Sequence, residues 1–295
     1  MDPLVTVIIP TYNWSSVLPY SIASVQRQTF TDWELLVVGD GCTDDSESVV
    51  RGVGDSRVRW INLPSNTGHQ SQPNNEGLRQ ARGQFIAYLG HDDLWLPHHL
   101  SCLIQALDEG ADLACGMTLL VGPNEGDRWP YPSSEKYQPG LWIPPTGFVH
   151  RRKVTDHVGG WPRYRDVAGH PEVELLQRAH TAGHRFSFVR RLTAIKLPAI
   201  ARRDVYKTRP YHEQAAWSER IKNEDDLEMT ELARIVFALS AATQPKPYRV
   251  MLSDFLDETR RGTVRRLRRM ISRPASREHN SIDAAREFKG LEPKP

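Results

Sequence analysis

Through the first half of the chain, short runs of β-branched and aliphatic residues alternate with stretches whose apolar positions recur at helical spacing. Leu4 to Ile9 and Glu34 to Val38 read as strands, and the segment from about Ser15 to Gln28 between them reads as a helix. Thr43-Asp44-Asp45-Ser46 supplies capping oxygens for a helix starting near Asp44, and the strand Val58 to Leu63 follows. Gln72 to Ala81 is helical in pattern. Phe85 to Leu89 is an apolar strand that runs into Gly90-His91-Asp92-Asp93, after which Pro97 opens a helix with Leu100, Leu103, Ile104 and Leu107 on one face. This alternation predicts an α/β fold with a mainly parallel sheet and crossover helices.

From Gly122 to Pro145 the density of Pro, Gly, Ser and charged residues predicts a long irregular loop, read as a cover over an active site. Glu172 to Ala182 returns to helical spacing, Arg185 to Leu197 is strand-like, and beyond about Asp204 the pattern is mainly helical. Two parts are expected: a catalytic domain over 1–203 and a mainly helical extension over 204–295 with a basic tail. No apolar run reaches the roughly 20 residues of a membrane span, and the first residues lead straight into a strand-like run, so neither a span nor a secretion signal is expected.

Composition adds that the chain is globular, with 39% hydrophobic and 25% charged residues. Its three cysteines, Cys42, Cys102 and Cys115, lack metal-type spacing and argue against a disulfide framework, which predicts a reducing, cytoplasmic setting. From Arg249 onward 12 basic residues face 7 acidic ones, so the tail is basic and the body slightly acidic. Nucleic acid is therefore not an expected partner of the body. In the tail, Val264, Leu267, Met270 and Ile271 share a helical face, with Arg265, Arg266, Arg268 and Arg269 around it. That stripe fits either peripheral contact with an anionic membrane or packing back on the catalytic domain.

In open α/β sheets ligands bind beyond the carboxyl ends of the strands, which draws attention to Pro10-Thr11-Tyr12-Asn13, Gly39-Asp40-Gly41 and Gly90-His91-Asp92-Asp93. No dinucleotide glycine fingerprint follows the first strand, and no Gly-Lys-Ser/Thr phosphate loop is present. A nucleotide base stacked on Tyr12, with Asp40 accepting from a base N–H, still fits. Asp92 and Asp93 are hard oxygen ligands of the kind that hold Mg²⁺ or Mn²⁺ against a diphosphate, although adjacent aspartates after a strand also serve as caps or solvated turns.

The ordered set of motifs is more specific than any of these pieces. Val5-Thr-Val-Ile-Ile-Pro-Thr-Tyr-Asn13, Ser24-Val-Gln-Arg-Gln-Thr-Phe30 and Trp33-Glu-Leu-Leu-Val-Val-Gly-Asp-Gly-Cys-Thr-Asp44 resemble glycosyltransferase family 2 in order and spacing. Asn66-Thr-Gly68, Asn75-Glu-Gly77, Asp92-Asp-Leu-Trp-Leu-Pro97 and Gly159-Gly-Trp161 extend the match over about the first two-thirds of the chain. The resemblance implies a GT-A fold and an inverting enzyme. Its donor would be a nucleotide-diphosphate sugar, and its acceptor a hydroxyl on a glycan or lipid-linked glycan. It places Pro10, Thr11, Tyr12 and Asp40 at the nucleotide and Asp92 on Mn²⁺ or Mg²⁺, with His91 and Asp93 as accessory groups.

By the same resemblance, Pro171-Glu172-Val173-Glu174-Leu175 implies Glu172 as catalytic base and Glu174 as the second acidic position; the bare sequence reads equally as a helix start with acidic residues in its first turn. Trp95 and Trp161 match aromatic positions near the acceptor, and core packing is their other reading. The chain departs from the family pattern at Gly39, Cys42, Asn74 and Gly90, the last standing where most relatives carry the first Asp of Asp-x-Asp. Gly90 and Asn74 motivate an alternative, a catalytically inactive GT-A scaffold that binds nucleotide without turnover.

Overall fold

A computed structural model describes residues 2–124, 126–132, 134–243 and 281–292. Val5–Thr11 (β1) and Trp33–Gly39 (β2) are buried at every position, as befits strands covered on both faces. With Val58–Asn62 (β3) and Phe85–Tyr88 (β4) they form a parallel array in the order β3-β2-β1-β4. The crossovers are the helices Leu18–Gln26 (α1), Ser46–Gly52 (α2) and Ser71–Gln80 (α3).

The second half of the sheet is mixed. Leu94–Trp95 (β5), Leu113–Val121 (β6), Arg128–Tyr131 (β7), Phe148–Arg151 (β8) and Phe186–Lys196 (β9) continue it from β4 through β8, β6 and β9 to β5, with β7 pairing on β6. β8 is antiparallel to both β4 and β6, β9 is parallel to β6, and β5 is antiparallel to β9. The helices His99–Asp108 (α4), Arg152–Val158 (α5) and Pro171–Thr181 (α6) pack on this half. The 122–145 stretch is less irregular than its composition predicts, since it holds β7 and runs into a 3₁₀ turn over Pro145–Gly147.

One connection fixes the shape around the site. β5 follows β4 after a short turn, closed by Asp93 N donating to Gly90 O at 3.0 Å, yet β5 pairs at the far edge of the sheet. Four strand spacings come to about 19 Å. A connection of this length that contains a turn cannot stretch so far, so the sheet curls and brings the β9–β5 edge to the carboxyl end of β4. The Gly90–Asp93 turn therefore lies in the mouth of the curl.

Described residues beyond 204 pack on the same sheet. Val205–Thr208 (α7), His212–Asn223 (α8) and Leu227–Thr243 (α9) follow in order. Trp217, Ile221, Leu227 and Ile235 share a core with Leu94, Leu119, Leu192 and Ile195. Ser281–Phe288 (α10) comes back to α7, where Asp204 N donates to Phe288 O at 2.9 Å and Tyr206 N to Lys289 O at 3.0 Å. The basic, apolar-striped segment from Val264 to Ile271 lies outside the described residues. No described helix is long and apolar enough to cross a membrane.

Candidate active site

The site is built at the strand ends, beginning with the turn after β2. Gly41 sits at φ +69°, and a side chain there would meet Asn66 N at 2.3 Å, so glycine is required for the two turns to touch. Asp40 spans that contact: Oδ1 accepts from Thr67 N at 2.8 Å and Thr67 Oγ1 at 2.7 Å, and Oδ2 accepts from Gly68 N at 3.1 Å. Burial raises the Asp40 carboxyl above its ordinary value even though these bonds oppose it. With two lone-pair sites per oxygen, Oδ2 keeps one acceptor site, enough for a single base N–H. Pro10 and Thr11 are buried at the end of β1, and Tyr12 is half-buried beyond them.

In the Gly90–Asp93 turn the adjacent carboxylates have separate tasks. Asp93 has no exposed surface and accepts from Thr146 Oγ1, from Lys196 Nζ at 2.9 Å and from Leu197 N at 3.1 Å. Expected as an accessory group, it is here bonded to groups that hold β9 against the turn. A Cβ on residue 90 would lie 2.5 Å from Asp93 Oδ2, so the room for a side chain at Gly90 is taken by that carboxylate. Asp92 is buried, and burial together with the neighbouring Asp93 charge raises its carboxyl. Among the described residues no basic side chain lies within ion-pair distance of it, and no group of three or more His, Cys, Asp or Glu could enclose a metal ion.

His91, expected as an accessory group, is bonded within the protein at both ring nitrogens. Its Nδ1 meets Thr11 Oγ1 at 2.9 Å, its Nε2 meets the Tyr206 hydroxyl at 3.3 Å, and burial lowers its pKa. Both ring nitrogens are thus used within the protein. Asn74 is fully buried and neither amide atom has a partner.

Glu172 stands in the first turn of α6, which starts there because Pro171 is preorganised for the first helical position and the macrodipole favours acidic residues beside it. The side chain is 5% exposed. Oε1 accepts from Trp142 Nε1 at 2.7 Å and Oε2 is buried without a partner. Trp142 belongs to the stretch expected to cover the site, and this bond is where that stretch reaches the candidate base. Glu174, the second acidic position, is half-buried, 3.9 Å from Arg178.

The two tryptophans expected at the acceptor are both in the core. Trp95 has no exposed surface, stacks on His99 with ring centres 4.2 Å apart and donates Nε1–H to Thr146 O at 2.8 Å. Trp161 is 3% exposed and meets Tyr88 edge-on at 5.0 Å. Both are almost fully buried, so neither presents an open face in this structure.

Four residues at the site had no sequence-level assignment: Lys196, Tyr206, Arg286 and Lys289. Lys196 and Lys289 each feel the charges of both Asp92 and Glu172, which puts the two candidate carboxylates in one electrostatic neighbourhood. Lys196 carried the one visible signal, a cation that closes β9 directly after Leu192-Thr193-Ala194-Ile195.

With this geometry in hand, comparison with known proteins is informative. The family model described as glycosyl transferase family 2 matches residues 6–165. A Campylobacter jejuni GalNAc(5)-diNAcBac-PP-undecaprenol beta-1,3-glucosyltransferase is 38% identical over 113 residues, 37% of this chain and 36% of the relative. An Escherichia coli UDP-Glc:alpha-D-GlcNAc-diphosphoundecaprenol beta-1,3-glucosyltransferase is 36% identical over 106 residues, 36% of this chain and 42% of the relative. The matched region thus spans about two-fifths of these curated relatives. Among solved structures, S. aureus TarS 1-349 in complex with UDP superposes with TM-score 0.58 at 20% identity, covering 67% of this chain and 61% of that one. A mannosyltransferase from Pyrobaculum calidifontis in complex with GDP-Man and Mn²⁺ gives TM-score 0.56 at 17% identity, covering 87% and 80%. These likenesses carry the GT-A fold.

Proposed function

This chain belongs to glycosyl transferase family 2, and we propose that it moves one sugar, with inversion, from a nucleotide-diphosphate sugar to a hydroxyl of a lipid-linked glycan. The observation that carries the chemistry is Glu172. A buried carboxylate with one oxygen oriented by Trp142 and the other left without a partner is a base held ready for an acceptor O–H. The lipid-linked acceptor is supported by the names of the two undecaprenol-linked relatives.

The chain's own groups then divide the reaction. The free acceptor site on Asp40 and the half-buried Tyr12 bind the base, beside a turn that Asp40 itself fixes. Glu172 Oε2 takes the acceptor proton as the acceptor oxygen attacks the anomeric carbon, and the bond from that carbon to the nucleotide diphosphate breaks on the opposite face. Trp142 and the surrounding core limit water at Glu172, which favours transfer over hydrolysis.

A divalent cation fits this site through its substrate rather than in an all-protein cage. Asp92 is the carboxylate left for it, since Asp93 is consumed by Lys196, Thr146 and Leu197. One carboxylate plus substrate phosphates is a normal arrangement for Mg²⁺. Mn²⁺ or Mg²⁺ bound there would offset charge developing on the leaving diphosphate.

The decisive measurement is transfer from a nucleotide-sugar panel to an undecaprenol-linked acceptor by wild type and Glu172→Gln. The variant is expected to bind donor normally and to lose turnover by about a hundredfold or more. Normal turnover would move the base elsewhere. Donor binding without hydrolysis or transfer in the wild type would favour the scaffold alternative that Gly90 and Asn74 motivate.

A further inference from the structure

Resting on the donor reading above, we infer that the C-terminal helix α10 completes the donor site: Lys289 binds the diphosphate, and Arg286 clamps the turn that holds the base. The segment is built to sit there. Phe288 O and Lys289 O accept from Asp204 N and Tyr206 N, and Leu291 N closes the helix end on Arg286 O at 2.9 Å. Gly290 follows at φ +86°, and a Cβ on it would meet Lys207 at 2.9 Å and Asp204 at 3.2 Å, so its lack of a side chain lets the chain lie flat on the start of α7.

Arg286 is 5% exposed, although it comes from a polar helix at the end of the chain. Its Nη1 donates to Gly68 O and its Nη2 to Glu292 O at 3.1 Å, while Nε is buried with no partner. Gly68 N is the group bonded to Asp40 Oδ2, so the turn beside the base is held by Asp40 through Gly68 N–H and by Arg286 through Gly68 C=O. A buried guanidinium N–H without an acceptor is costly to leave unmade, and an anionic ligand beside it would supply one.

Lys289 holds its ammonium 5.9 Å from the centre of the Tyr206 ring, whose hydroxyl meets His91, the residue before Asp92. Burial and the Arg286 and Lys196 charges pull its pKa down, against Asp92 and Glu172. Among the described residues no carboxylate lies within ion-pair distance of it, whereas Lys196 is paired with Asp93. Among the described residues it is thus a partly desolvated cation with no anionic partner. The segment that carries it reaches the turn beside Asp40 through Arg286, and the charges of Asp92 and Glu172 both act on its ammonium. A diphosphate linking a base at that turn to a sugar near Glu172 carries the charge that Lys289 lacks.

The test is calorimetric binding of uridine, UDP, guanosine and GDP to the full chain, with Mn²⁺ and with chelator. Lys289→Met is expected to weaken the nucleoside diphosphate at least tenfold in both conditions while leaving the nucleoside within twofold. Lys289→Arg is expected to recover most of the loss. Arg286→Met is expected to weaken the nucleoside as well as the diphosphate. Equal losses of nucleoside and diphosphate in Lys289→Met would reduce Lys289 to a structural role, and an unchanged diphosphate affinity would overturn the assignment outright. If the wild-type chain binds none of these ligands, the donor reading itself falls, an outcome distinct from either.

Discussion

The two halves of the sheet build their shares of the site in different ways. In the parallel half the candidate groups stand at or just past strand ends: Pro10 and Thr11 close β1, Tyr12 and Asp40 come one residue after β1 and β2, and Asp92 comes four residues after β4. In the mixed half the groups come from distant parts of the chain. Lys196 reaches Asp93 across 103 positions, Tyr206 reaches His91 across 115, and Arg286 reaches Gly68 across 218. Parallel strands with crossover helices deliver their carboxyl ends to one edge whatever the rest of the chain does. A curled mixed sheet delivers its groups only when the whole fold has closed.

The largest expected effect tests that division within a single turn. Asp93→Ala leaves Lys196 without the carboxylate that offsets its burial, and breaking such a pair costs about 3 kcal/mol or more. Asp92→Ala removes a carboxylate that burial already disfavours, so its cost is expected to stay below about 1 kcal/mol. Urea unfolding of both variants checks this, and Asp93→Leu combined with Lys196→Met should regain most of the loss. Equal destabilisation by the two alanine variants would mean that both carboxylates serve the closure of the sheet.

That contrast also explains what could be read in advance. The strand ends, and hence Asp40 and Asp92, were legible because hydrophobic period and turn residues are local. Glu172 was legible from Pro171 and the acidic first turn of α6, with the family motif to select it. Which of the two turn aspartates was free was not legible, since the answer lies in Thr146 and Lys196. Which of the two readings of Trp95 and Trp161 the fold would favour was not legible for the same reason: a tryptophan's sequence position does not say whether packing against His99 or Tyr88 will bury it. Arg286 and Lys289 sit in a polar stretch whose pattern carries no sign that it returns to the mouth of the sheet.

A middle-sized effect probes the loop contact on the mixed side. Trp142→Phe keeps an aromatic ring beside Tyr131 but deletes the N–H that orients Glu172. A hydrogen bond to a charged group is worth about 1.5 kcal/mol, so turnover should fall about tenfold. Affinity for the nucleotide, whose proposed contacts are the strand ends of the parallel half and α10, should not change. Steady-state kinetics with direct nucleotide titration separates the two, and a matching loss of nucleotide affinity would show that the loop supports the whole site.

The smallest effect concerns pH. His99 and His150 in the mixed half are buried, and burial holds their pKa values at about 3 and about 4 against an ordinary 6.5; His69 beside the base turn is held at about 3 by the same cause. Below 6.5 the unfolded chain takes up protons on these rings that the folded chain refuses. Their contribution to stability is therefore complete above 6.5 and declines as pH falls through the window between the ordinary and depressed values, by up to about 1.4 kcal/mol per pH unit for each ring. His99 bonds Thr193 Oγ1 at 3.0 Å and stacks on Trp95, so His99→Phe retains the stack and removes the titration. The variant's stability should depend on pH less steeply than the wild type's between about pH 6 and pH 5, by about 1 kcal/mol per unit. Parallel stability curves for the two proteins would show that this ring protonates inside the folded mixed half, and that its burial is looser than that of the strands around it.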